Sequence, residues 1–128
     1  MPADLSLLVC VVVFAFLQAV VAVLGAILQV GLPTLAGNRE GLKECTGWAG
    51  RAARAHRNML ESLPIFVALV LVAHIANRAN ATVIMGEQVF LWARIAFAVV
   101  YIAGIPWLRT AIWGVSVVGM AMILFQLT

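Results

Sequence analysis

Charge is scarce in this sequence. Five acidic and eight Lys or Arg residues make up 10% of the 128, against 65% apolar residues and a mean hydropathy of +1.10. That balance excludes an ordinary soluble domain and points to a polytopic membrane protein. The length leaves room for one helical unit without a separate soluble domain. Neither G-x-x-x-x-G-K-[ST] nor G-x-G-x-x-G occurs, so nothing supports phosphate or dinucleotide cradling. Cysteine is limited to Cys10, expected in the first span, and Cys45, expected in a loop on the other side. Their backbones would be too far apart for a disulfide. His74 has no second ligand near it in the sequence, so no metal site is expected. The net charge of +3 is small and lies mostly on one side of the expected membrane. It reports orientation better than it reports a nucleic-acid partner, and none is expected.

What is present is four long apolar stretches separated by polar ones. Leu5 to Val30 is broken only by Ser6, Gln18 and Gln29 among polar side chains. It lacks a basic start and exceeds the roughly 7–15 apolar residues of a cleaved leader, so a retained transmembrane helix is expected. Gln18 and Gln29, about 20° apart on a helix, share a face suited to other helices rather than lipid. A second helix is expected from about Arg51 to Ala76, kinked at Pro64 with the Leu60 carbonyl freed. A third runs from about Met85 to Ala103, with Glu87 in its first turn, where the helix dipole favours an anion. A fourth runs from about Pro106 to Gln126, with Gly114, Ser116 and Gly119 allowing close approach of a neighbour. The connection from Gly31 to Gly50 is rich in glycine, and its Arg39-Glu40 and Lys43-Glu44 pairs predict a short amphipathic surface segment. Asn80-Ala81-Thr82 matches a glycosylation acceptor in too short a loop to carry weight. The expected fold is thus all-α, a four-transmembrane-helix bundle in a single domain.

Four spans place both termini on one side and the Gly31–Gly50 loop on the other. The loop side carries Arg39, Lys43, Arg51, Arg54, Arg57 and Arg109, while Arg78 lies opposite. By the positive-inside rule the basic side is cytoplasmic and the termini are not.

The polar residues concentrate in Arg51 to Glu61. The apolar run after them, Leu63 to Ala76, is about fourteen residues, and a span needs roughly twenty. The second helix can cross only by drawing its first turns from the charged stretch, which puts Asn58 and Glu61 at membrane depth. Ionisable groups there cost about 2.5–3.5 kcal/mol each, so they are functional candidates by default. Arg51, Arg54, Asn58 and Glu61 fall within an arc of roughly 80°, with Arg57 at its border and His56 pointing away. Guanidinium forks, an amide and a carboxylate in one column suit a small zwitterionic ligand. Internal Arg–Glu pairing with snorkelling arginines accounts for the same column about equally well. Arg94 and Tyr101 face one way on the third helix, with Phe97 between them. A lone Arg at that depth needs a partner, and Glu61 is the expected one. Tyr101, and Arg109 beside Trp107, also fit an interfacial belt.

The pattern Arg51-x-x-Arg54-Ala55-His56-x-Asn58-x-x-Glu61-x-x-Pro64 before an apolar run resembles the second-helix signature of the MAPEG family, the membrane-associated proteins in eicosanoid and glutathione metabolism. Arg94 and Tyr101 on the third helix and Arg109 at the start of the fourth fit the same resemblance. It implies a homotrimer of four-helix subunits, binding glutathione as co-substrate between neighbours near the cytoplasmic side. By position, Arg54, Arg57, Asn58 and Glu61 would hold the peptide's charged ends and backbone. Arg94 belongs to the same set, Tyr101 would contact the ligand, and Arg109 would sit near the sulfur. A guanidinium there would favour the thiolate, which would attack a lipophilic electrophile or reduce a peroxide arriving from the membrane lipids. Two departures stand out. Phe97 replaces a hydrogen-bonding residue found in active members, and the first helix ends on Gln29 where several members have an arginine. The resemblance therefore leaves open a non-catalytic lipid-binding or scaffold protein. A small four-helix exporter fits less well, because no carboxylate lies within Leu5 to Val30 and Glu61 sits near one boundary.

Overall fold

The computed structural model describes every residue from Met1 to Thr128 and contains five helices: α1 (Ala3–Val30), α2 (Leu32–Ala36), α3 (Gly47–Ile75), α4 (Ala81–Ala103) and α5 (Pro106–Leu127). There are no strands. α1, α3, α4 and α5 are each long and apolar enough to cross a membrane. Local chemistry explains several of the ends. Asn80 caps α4 by accepting from the Val83 amide at 3.0 Å. At the other end Gly104 adopts a left-handed φ of 85°, which closes α4 before Pro106 opens α5.

The segment between α1 and α3 is a polar surface connection that is helical only at its start. A helical turn forms at Leu32–Ala36, with Pro33 in its first positions, and the charged pairs at Arg39–Glu40 and Lys43–Glu44 lie in non-helical chain. Gly37 and Gly41 flank a left-handed Arg39 (φ 56°), so helix cannot propagate through the charges. Two helices start earlier than the sequence suggested, α3 at Gly47 and α4 at Ala81. The earlier start of α4 moves Glu87 out of the first turn, where no acidic residue is found. α3 runs unbroken through Pro64.

The core is drawn from all four long helices. Val11 and Ala15 of α1, Met59, Phe66 and Val70 of α3, Phe90 of α4 and Ile123 of α5 are buried in one cluster. Phe66 and Phe90 stack with ring centroids 4.1 Å apart. α5 packs closely on α4 through two glycines: a Cβ at Gly119 would lie 2.7 Å from the Gly86 carbonyl oxygen. Ser116 is buried in the same seam, while a side chain on Gly114 would meet nothing. Small residues thus let two backbones approach where no hydrophobic driving force separates helix from lipid. Large apolar side chains such as Phe16, Leu28, Trp92 and Val99 face outward, as lipid-facing surface requires.

Polar contacts tie each end of the bundle. At the terminal end His74 Nδ1 and Asp4 Oδ2 are 3.0 Å apart, which supplies a neighbour for His74 that the sequence did not suggest. Asn80 donates to the Gln126 side chain at 2.9 Å there, so the acceptor-like Asn80 motif serves as a cap and tie. At the loop end Arg51 Nε donates to the Ile102 carbonyl at 2.8 Å, and Gln29 and Thr46 exchange two hydrogen bonds. Cys10 and Cys45 are both free.

Candidate functional site

The column on α3 does not act as a single strip. Arg51 turns to the C-terminal end of α4 and satisfies an orphan carbonyl there. Arg54 and Arg57 are exposed and border a cleft of about 330 Å³ against the α1–α3 connection. Arg57 lies 3.8 Å from Glu44, a solvent-exposed pair of little energetic weight. Glu61 is exposed with no ion-pair partner within the chain. Asn58 alone faces inward.

Arg94 makes that inward contact. Its Nη2 donates to Asn58 Oδ1 at 2.9 Å, so its partner is Asn58 and not the expected Glu61. Asn58 and Glu61 stand about one helical turn apart, and the relative height of α3 and α4 selects the shallower residue. Arg94 is 1% exposed, and its Nε and Nη1 have no acceptor. Its guanidinium carbon sits 4.5 Å from the Phe97 ring centroid, a cation–π contact that offsets part of the missing solvation. Because a guanidinium only donates, this contact fixes the Asn58 oxygen toward Arg94 and leaves the amide NH₂ available as a donor.

Asn58 also lines an open cavity of about 250 Å³, together with Phe97, Tyr101, Arg109, Thr110 and Trp113. Arg109 lies over Tyr101, its guanidinium carbon 4.4 Å from the ring centroid. Phe97 meets Tyr101 edge to face with centroids 5.5 Å apart. The stack Arg94–Phe97–Tyr101–Arg109 therefore runs from the buried interior to the cavity mouth. Its spacing follows from the helix: positions 94, 97 and 101 recur at i, i+3 and i+7 on one face of α4. Arg109 is returned to that face by the short Gly104–Ile105 turn. Trp113 was not singled out from sequence, although it lies four residues after Arg109 and so on the same face of α5. Arg39 and Lys43 were read only for orientation and as part of a surface segment, yet both line the cleft beside Arg54 and Arg57.

The expected site residues thus divide. Asn58, Tyr101 and Arg109 share one cavity, with Arg94 behind Asn58. Arg54 and Arg57 open onto a different cleft, and Glu61 faces outward. The chemistry available at the cavity is a cation, a phenol and an amide donor beside aromatic carbon. This set can bind an anion and favour its charged form.

The MAPEG family model matches residues 5–128, essentially the whole sequence. No match was found to a curated protein or to a solved structure. With four helices long and apolar enough to span a bilayer, the chain is an integral membrane protein and belongs to the MAPEG family.

Proposed function

We propose that this protein is a glutathione-dependent transferase or peroxidase acting on lipophilic electrophiles from the bilayer. The observation that carries the reading is the placement of Arg109 over Tyr101 at the mouth of a cavity shared with Asn58. Glutathione is a co-substrate with two carboxylates, an ammonium group and a thiol. Arg109 is assigned to the sulfur, where a fixed positive charge lowers a thiol pKa from about 8.5 and raises the thiolate fraction at neutral pH. Stacking on Tyr101 holds the guanidinium in place without neutralising it. Tyr101 contacts the ligand through its hydroxyl. Asn58 offers its amide NH₂ to the peptide backbone, with Arg94 as the group that positions it.

Arg54 and Arg57 hold the carboxylates, and Glu61 the ammonium group. Within one chain these three lie outside the Arg109 cavity. A site built between subunits of a homotrimer reunites them, and their exposure in the single chain supports that assembly. The basic end of the bundle is cytoplasmic in this reading and the termini are on the opposite side. The thiolate attacks an electrophilic carbon, forming a C–S bond as the leaving group departs with the electron pair. With a hydroperoxide it attacks the terminal oxygen, and the O–O bond breaks to leave an alcohol and a sulfenic acid that a second glutathione reduces.

One observation favours a second reading. Arg94, Asn58 and Phe97 satisfy one another inside the chain, as a packing element would. A non-catalytic lipid-binding or scaffold role would retain the polar residues for that purpose alone. Purified protein assayed for conjugation of glutathione to a generic aryl halide separates the two. The transferase reading requires turnover that Arg109→Ala removes; a scaffold gives no turnover and no saturable glutathione binding.

A further inference from the structure

The cleft beside α2 carries a charge pattern that the glutathione reading uses only in part. Four cations, Arg39, Lys43, Arg54 and Arg57, face it with one carboxylate, Glu44. Its floor is apolar, with Ala26 of α1 and Leu35 of α2. A second cavity of about 200 Å³ shares Ala26, Leu35 and Arg39 with this cleft. It continues along α1 past Val23 and Ala22 to Ala19. The seven helical steps from Ala26 to Ala19 span about 10 Å along the helix axis. Sharing Ala26, Leu35 and Arg39, the two cavities adjoin as a channel that is cationic at the end of the spans and, apart from His56 of α3, apolar toward their middle. The small side chains of Ala19, Ala22 and Ala26 keep it open along α1. Arg39 stands at the junction, its Nε held on the Leu35 carbonyl at 2.7 Å.

We infer that this channel seats an anionic phospholipid, with the headgroup phosphate between Arg39 and Lys43 and the first part of one acyl chain along Ala22 and Ala19. The charge excess selects an anionic over a zwitterionic headgroup, since a phosphate paired with its own choline gains little from four cations. The continuous apolar groove selects a chain-bearing ligand over a free phosphate. The depth of the groove matches a lipid already resident in the leaflet, whose acyl chain enters without crossing water. Arg54 and Arg57 border the headgroup seat from α3.

The test uses the full chain in a nonionic detergent. Phosphatidylglycerol and phosphatidylcholine of identical acyl chains are each titrated in, and bound lipid is counted by native mass spectrometry. Glycerol phosphate, the headgroup without chains, is the third probe. The expected result is retention of phosphatidylglycerol on the order of tenfold above phosphatidylcholine, with no competition from glycerol phosphate at matched concentration. The double variant Arg39→Gln, Lys43→Gln should abolish the preference while glutathione affinity stays unchanged. Ala22→Phe, which fills the groove, should lower phosphatidylglycerol retention with the charges intact. Equal retention of the two lipids overturns the inference, as does a preference that survives the double variant. Competition by glycerol phosphate reduces the cleft to a free-anion site. Weakened glutathione binding in the double variant assigns the cleft to glutathione instead. A protein that binds no glutathione leaves the lipid comparison readable, so the two readings fail separately.

Discussion

Arg94 and Asn58 are joined by a 2.9 Å hydrogen bond between α4 and α3, and each gives the other its role. The guanidinium is buried with two of its nitrogens unpartnered, so Asn58 supplies its one acceptor in the chain. Asn58→Ala should therefore leave a buried cation without an acceptor and destabilise the bundle by roughly 2–4 kcal/mol. Thermal unfolding in detergent measures it. Asn58→Asp restores an acceptor and should recover stability, yet it removes the amide donor and should still impair glutathione binding.

Glu87 is fully buried on α4 and neither carboxylate oxygen has a partner. A buried polar group without hydrogen bonds carries its desolvation cost uncompensated, about 1–3 kcal/mol. Glu87→Leu, similar in size and able to pack against the core, should raise the unfolding temperature or leave it unchanged. A fall of several degrees would show that Glu87 has a partner in the folded protein. Glutathione turnover should not change, because fourteen residues of helix, about 21 Å, separate Glu87 from Tyr101.

Gly119 and Gly86 hold α5 against α4. Gly119→Val places its Cβ about where the Gly86 carbonyl oxygen and the Phe90 amide nitrogen already lie, at 2.7 and 2.9 Å. Both obstacles are backbone, so the helices must separate, at a cost of roughly 1–3 kcal/mol. Gly114→Val, whose Cβ meets nothing within the chain, should leave monomer packing unchanged. Comparing the unfolding temperatures of the two variants checks the seam.

Much of this architecture was legible in the sequence because the bilayer imposes length and composition. A run such as Leu5 to Val30 can be little else than a span. The meeting of Asn58, Tyr101 and Arg109 in one cavity was also within reach. All three lie near the basic ends of their helices, and a tight turn at Gly104 leaves α5 no freedom to carry Arg109 elsewhere. The partner of Arg94 was not legible. Asn58 and Glu61 occupy the same face of α3, and periodicity gives direction around a helix but not the height of one helix against another. The Asp4–His74 contact was hidden for the same reason, since its residues lie 70 positions apart and meet through register. The charged pairs near Arg39 lie on the surface as their composition suggests, in non-helical chain beside Gly37 and Gly41.

Tyr101 and Arg109 form the contact on which the chemistry depends. Arg109→Lys keeps a positive charge but loses the planar face that lies on the Tyr101 ring. It should retain part of the conjugation rate, whereas Arg109→Ala should lose on the order of a hundredfold. Tyr101→Leu should fall between them, with its effect divided between KM and kcat. Steady-state kinetics with an aryl halide and glutathione separates the three.

The ionisation of bound glutathione tests the central claim most directly. Thiolate absorbance is followed against pH at saturating glutathione, for the native protein and for Arg109→Ala. The account predicts a midpoint at least about one unit below the value near 8.5 of a free thiol, moving back toward that value in the variant. A native midpoint equal to that of free glutathione, or the absence of saturable binding, would contradict it.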